Sequence, residues 1–123
     1  MDRFERLASA LRRIPGLEGR GNEPMKRHTT FRIGGPARLM ALPRGRKEAA
    51  AAVRAATEAG IAPFFLGNGS NLLVADHGYE GFVLKACGLD QVREVNRRLR
   101  AESGITLARL ANAALGRGLT GLE

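Results

Sequence analysis

The sequence predicts an α+β fold, and three observations carry the prediction. A capped stretch after Asp2 and an alanine-rich stretch over residues 47–59 have apolar residues at helical spacing. Several short runs with strand character are bounded by glycine and proline. Between two of those runs lies the alanine-rich helix, which makes a strand, helix, strand unit whose crossover should be right-handed.

The elements follow in chain order. Asp2 is placed to cap a helix with Glu5 as its third residue, and Phe4, Leu7, Ala8 and Leu11 share one face before Pro15-Gly16 ends it. Residues 17–24, rich in glycine and charge, read as a linker. The run His28-Thr29-Thr30-Phe31-Arg32-Ile33 has the β-branched and aromatic content of a strand, and Gly34-Gly35-Pro36 is expected to turn the chain. Residues 37–42 predict a second strand with Ala37, Leu39 and Ala41 on one face and Arg38, Met40 and Leu42 on the other.

In the alanine-rich helix, Ala49, Ala52, Val53 and Ala56 form one stripe, and Gly60 offers the left-handed position at which helices often stop. Phe64-Phe65-Leu66, Leu72-Leu73-Val74 and residues 81–85 predict further strands. Residues 91–95 and 98–102 predict two exposed strands joined near Asn96-Arg97. Thr106 then caps a helix with Leu107, Leu110, Ala111 and Ala114 on its buried face, ended by Gly116 or Gly118. Leu119-Thr120-Gly121-Leu122-Glu123 is expected to start an element that the sequence does not finish.

Composition bounds the function. A chain of 123 residues, 44% apolar and 26% charged, supports one core and is not that of a disordered tail. The net charge of +8 reads first as solvated surface charge, a field that also serves anionic ligands such as nucleotides. A basic nucleic-acid-binding module is the alternative from another class, but the basic residues are spread along the chain. Their densest group, Arg97, Arg98 and Arg100, includes no aromatic to stack on a base. No apolar stretch is long enough for a membrane span and Met1-Asp2-Arg3 opens no signal core, so the expectation is a cytoplasmic protein without membrane partners. The single Cys87 has no disulfide partner and no neighbouring ligand at metal spacing, and no metal is expected.

The segment Leu66-Gly67-Asn68-Gly69-Ser70-Asn71 carries the most information, and it has two readings. In one, Asn68-Gly69 is the tight turn of a hairpin. In the other, successive main-chain N–H groups form a concave nest for phosphate, with the Ser70 hydroxyl and the Asn71 amide as added donors. The two can coexist. A dinucleotide fingerprint is excluded because a third glycine and a following helix are missing, and a triphosphatase loop because no Gly-Lys-Ser or Gly-Lys-Thr is present.

The string His28-Thr29-Thr30-Phe31-Arg32-Ile33-Gly34-Gly35-Pro36-Ala37, followed by the Leu66 to Asn71 motif and then by residues 78–83, resembles the FAD domain of the UDP-N-acetylenolpyruvoylglucosamine reductases. The run Gly118-Leu119-Thr120-Gly121-Leu122-Glu123 is also similar to that family, and the resemblance extends from about Glu23 to the last residue. It implies an FAD-binding domain of the p-cresol methylhydroxylase or vanillyl-alcohol oxidase type, with FAD held between two lobes. Residues 1–22 would then be a helix and linker, 23–86 the first lobe, and 87–123 the truncated start of the second.

The resemblance further implies that Leu66, Gly67, Asn68, Gly69, Ser70 and Asn71 wrap the FAD pyrophosphate through their main chain, and that Gly104 lies close to FAD, although a glycine at a helix entry would look the same. In the family, NADPH delivers a hydride to the flavin, which passes it to the enolpyruvyl group of a UDP-sugar to form UDP-N-acetylmuramate for peptidoglycan. The family's catalytic Arg, Ser or Cys acid, and Glu come later than the matched residues, so no catalytic residue is assigned here and the chain alone is expected to be inactive. Another flavin oxidoreductase with the same domain is the nearer alternative.

His28 and Thr30 have a flavin-facing reading beside the preferred one of strand packing and turn-making, and His77 reads as exposed. The whole enzyme is expected to be monomeric. Apolar faces along residues 107–115 and 119–122 give this chain a route to self-association.

Overall fold

The computed structural model describes residues 2–67, 69, 72–86 and 88–119. Helix α1 (Arg3–Arg12) begins where the Asp2 carboxylate accepts the Glu5 amide at 2.8 Å, and it buries Leu7 and Leu11 with Phe4 and Ala8 at their flank. Strand β1 (Glu18–Pro24) follows, then a 3-10 turn (Met25–Arg27), β2 (Pro36–Leu42), helix α2 (Arg46–Glu58), β3 (Pro63–Leu66) and β4 (Tyr79–Lys85). Four strands form one sheet in the order β1-β2-β4-β3; β1 runs antiparallel to β2, whereas β2, β4 and β3 are parallel. Strand β4 therefore lies between the two strands that α2 connects.

Both helices cover one face of this sheet. There Leu7, Leu11, Ala52 and Ala56 meet Leu39, Ala41, Phe82 and Leu84, with Ile61 beside them. Full burial of a side chain the size of Phe82 contributes about 1.5–3 kcal/mol. The alanine stripe of α2 is what lets that helix approach the strands closely. On the opposite face Met25, Ala37, Met40, Leu66 and Val83 form a second, smaller cluster, roofed by Leu72 and Val74 on irregular chain rather than by a helix.

Four expectations are corrected. Residues 18–24 are a strand, not a linker: the segment lacks an apolar pattern because it is the sheet's edge, and its pairing with β2 needs only main-chain groups. The run from His28 to Ile33 is not a strand. Thr29 Oγ1 binds the Ile33 carbonyl at 3.3 Å, the Thr29 carbonyl accepts the Arg32 amide at 3.2 Å, and Arg32 sits at φ 57°, so local bonds curl the segment.

Gly34-Gly35-Pro36 does not reverse the chain but runs against residues 75–78, with the Gly35 amide on the Ala75 carbonyl at 2.9 Å. Leu72-Leu73-Val74 is not a strand either: it runs as irregular chain with Leu72 and Val74 packed on the second cluster, which their apolar character serves without any ladder. A smaller departure affects β2, where the ladder to β4 slips: Ala37 faces Tyr79 but Leu39 faces Phe82. Ala37 accordingly packs with Met40, while Arg38 reaches Asp2 at 2.7 Å and stacks over the Phe4 ring.

Beyond the sheet, β5 (Val92–Val95) and β6 (Arg98–Ala101) form the expected hairpin, turning through Asn96 at φ 50° and Arg97 at φ 63°. Helix α3 (Leu107–Gly116) is capped by the Thr106 hydroxyl, which accepts the Arg109 amide at 3.2 Å, and Ala114 is buried. An ion pair between Arg46 and Glu102, 3.1 Å, ties the start of α2 to the end of the hairpin.

Candidate functional site

The glycine turn leaves the sheet at the carboxyl end of a parallel strand, the end at which open α/β sheets carry their ligand crevices. Leu66 pairs with Lys85 in the β3–β4 ladder, its side chain is buried, and its carbonyl accepts the Ala86 amide at 2.7 Å. The turn thus starts from a fixed point. Gly67 is exposed, and a Cβ built on it would meet nothing within 4 Å, so its main chain is open to approach.

Gly69 is the opposite case. It is buried at φ +71°, and a Cβ there would overlap the His28 carbonyl oxygen and lie 3.1 Å from the Thr29 Cα. Its own carbonyl accepts the Thr30 amide at 3.1 Å. Only glycine satisfies both the left-handed φ and the contact. Asn68, Ser70 and Asn71 lie outside the described residues.

The hairpin reading of Asn68-Gly69 fails, because β3 pairs in parallel with β4 and irregular chain follows the turn over residues 72–75. No helix follows it either, so a ligand here would be held by turn geometry without a helix dipole behind it. Gly104 is buried in the turn between β6 and α3, with its amide donated to the Leu89 carbonyl at 2.7 Å. Cys87 and residues 120–123 also lie outside the described residues.

Under the glycine turn runs a chain of polar side chains that the sequence did not reveal. Glu23, buried on β1, accepts Arg20 at 2.6 Å and Arg27 at 3.5 Å. His28, also buried, presents Nε2 to Glu23 at 3.5 Å and Nδ1 to the Lys85 ammonium at 2.7 Å. Burial pushes the Glu23 carboxyl up, but the hydrogen bond and charge of Arg20, helped by His28, outweigh it and hold it below its ordinary value. Burial, and then the Lys85 charge, hold the His28 imidazole below its ordinary value against the pull of Glu23. Nothing in the sequence pairs His28 with Lys85, since they are 57 positions apart; only the fold brings them together.

Beside this chain the second face opens an apolar cavity of about 190 Å³ lined by Met25, Phe64, Leu72, Val74, Tyr79 and Val83. The Phe64 and Tyr79 rings meet edge to face there, with centroids 5.8 Å apart.

Residues 37–123, which include the whole glycine turn and Gly104, match the profile of the FAD binding domain family. The chain belongs to that family. Its sequence is similar to UDP-N-acetylenolpyruvoylglucosamine reductases, as its motifs indicate. With the reductase of Caldanaerobacter subterraneus subsp. tengcongensis it shares 45% identity over 102 residues, 83% of this chain and 34% of that protein. With the reductase of Moorella thermoacetica it shares 43% over 117 residues, 95% of this chain and 39% of that protein. The matched part of this chain thus spans 34% of the length of one of these curated relatives and 39% of the other.

Among solved structures, the reductase from Thermus caldophilus superposes with a TM-score of 0.62 at 32% identity, over 86% of this chain and 35% of that one. A structure of p-cresol methylhydroxylase superposes at 0.63 with 10% identity, over 95% of this chain and 25% of that one, a likeness of fold alone. The α+β fold of the p-cresol methylhydroxylase type is therefore borne out, as is the resemblance to the reductases.

Proposed function

We propose that the main chain of Leu66, Gly67, Asn68, Gly69, Ser70 and Asn71 grips the diphosphate of FAD. The observation that carries this is Gly69, buried at φ +71° and pinned on both sides by residues 28–30, within the segment that matches the FAD binding domain family. A backbone already fixed at Gly69 costs less to organise when the ligand arrives, and Gly67 leaves the approach clear. Excess positive charge on the chain favours an anionic cofactor. Gly104 is assigned to the same cofactor's surroundings; its amide already serves the Leu89 carbonyl, so its part is close approach rather than donation.

The whole protein is read as an NADPH-dependent reductase that converts the enolpyruvyl group of UDP-N-acetylglucosamine-enolpyruvate into UDP-N-acetylmuramate, in the cytoplasm, for peptidoglycan synthesis. When bound, FAD would relay the hydride from NADPH to the substrate. This chain's share is to hold and orient the cofactor. Residues 23–86 form one lobe of the cradle and 87–123 begin the other, with β1 crossing the start of the first lobe. No catalytic residue is assigned within it, and the groups that protonate substrate and stabilise its enolate belong to the length of the relatives that this chain does not span.

Titrating FAD fluorescence with the 123-residue protein tests the reading. Saturable quenching is the expected result, weak because each main-chain hydrogen bond contributes only about 1 kcal/mol net. Absence of saturable quenching would remove the cofactor assignment. NADPH oxidation in the presence of the UDP-sugar at enzyme-like rates would overturn the assignment of catalysis to other segments.

A further inference from the structure

We infer that His28 is a positioning residue for the glycine turn, a neutral imidazole that couples the fixed base of the turn to its midpoint. The ring holds Lys85, which stands opposite Leu66 at the turn's base. The main chain of the same residue abuts Gly69, and two positions later the Thr30 amide holds the Gly69 carbonyl at 3.1 Å. Any displacement of the ring is therefore delivered to the segment that shapes the nest.

The protonation state follows from the contacts. An ammonium can only donate, so at 2.7 Å Nδ1 accepts from Lys85 and the ring proton sits on Nε2. That N–H points at Glu23 Oε2 at 3.5 Å, too far for a full hydrogen bond, and Nε2 is buried without a close partner. A second proton would place an imidazolium against the Lys85 ammonium in a buried site. The charged groups facing the ring are Lys85 from β4 and Glu23 from β1, and Glu23 is already engaged by Arg20 of β1 and Arg27 of the 3-10 turn. Little attraction remains to offset the repulsion.

Burial and Lys85 hold the folded imidazole below its ordinary value of 6.5, so the neutral contact is complete above that value and is lost as pH falls from there through the depressed one. In consequence the turn should loosen on acidification within a range where the carboxylates remain ionised.

The consequence for cofactor affinity rests on the FAD reading above; the consequence for the turn does not. Two measurements separate them. Amide exchange by NMR on the cofactor-free protein gives the protection factor of the Thr30 amide, with the Ala49 amide in the first turn of α2 as a reference whose local opening does not involve His28. FAD titrations give affinity under the same conditions. Between about pH 8 and about pH 5.5, Thr30 protection and FAD affinity should both fall, by about tenfold at most, while Ala49 changes little.

His28→Gln, whose carbonyl can accept from Lys85 and whose amide can face Glu23, should keep both values high across the range. His28→Ala should lower both at either pH, and if it unfolds, the wild-type profile and His28→Gln decide. A pH-independent Thr30 protection in the wild type, or an equal fall in His28→Gln, would overturn the inference even if FAD binds. The expected Thr30 pattern without FAD binding would leave the inference standing and remove the cofactor assignment.

Discussion

The carbonyl oxygen of His28 fills the space that a side chain at position 69 would need, so Gly69 is fixed both by its φ of +71° and by what stands in front of it. Gly69→Ala should therefore lower stability by about 1–3 kcal/mol, from a strained φ together with a backbone overlap that no rotamer relieves. Urea denaturation followed by circular dichroism measures it. Gly67→Ala, with open space around the added methyl, should cost less than about 1 kcal/mol.

On the helix-covered face of the sheet, burial decides what a large apolar side chain contributes. Leu7→Ala removes a fully buried side chain from the contact of α1 with the sheet and should cost about 2–5 kcal/mol. Phe65→Ala, at a ring 61% exposed, should cost far less in spite of its size. Comparable losses for the two would contradict the placement of α1.

Acid sensitivity should have two parts. Glu23, held below its ordinary value of 4.5, stabilises the fold above that pH, and the contribution disappears as pH falls through its lower folded value. Asp2, held below 3.8 first by the Glu5 amide and then by Arg38, loses its contribution in the same direction. Glu23→Gln should cost about 1–3 kcal/mol at neutral pH and flatten the acid limb of a stability profile measured by thermal denaturation. An unchanged acid limb would show that the Arg20 pair is not part of it.

The β5–β6 turn places Asn96 and Arg97 both at positive φ, a geometry that favours glycine at its second position. Arg97→Gly should stabilise by about 0.5–1 kcal/mol and leave the pairing of Val95 with Arg98 intact. Thr106→Ala should do the reverse at the next element, costing about 1 kcal/mol by removing the cap on the Arg109 amide. Thermal midpoints of the two variants, read against the wild type, check both signs.

What the sequence disclosed follows from which interactions are local. Asp2 with Glu5 and Thr106 with Arg109 are contacts within one helical turn, so α1 and α3 were legible with their caps. The alanine stripe and Gly60 marked α2 in the same way. Strand β1 escaped notice because an edge strand can pair through main chain without apolar alternation. His28 to Ile33 and Leu72 to Val74 looked like strands by composition, yet one is curled by Thr29 and the other packs Leu72 and Val74 on the second cluster as irregular chain. Of the site, the glycine turn was readable from its residues, whereas the Glu23, His28 and Lys85 chain depends on β1 and β4 being brought to one place by the sheet.

Phosphorus NMR of FAD, titrated with the wild-type chain and with Gly69→Ala, reads the diphosphate itself. Binding through the nest requires the two phosphorus resonances to shift or broaden saturably with the wild-type protein and to respond much less with a folded Gly69→Ala variant. Phosphorus resonances that stay unchanged while the flavin signals respond, or an identical response from both proteins, would contradict a diphosphate held by this turn.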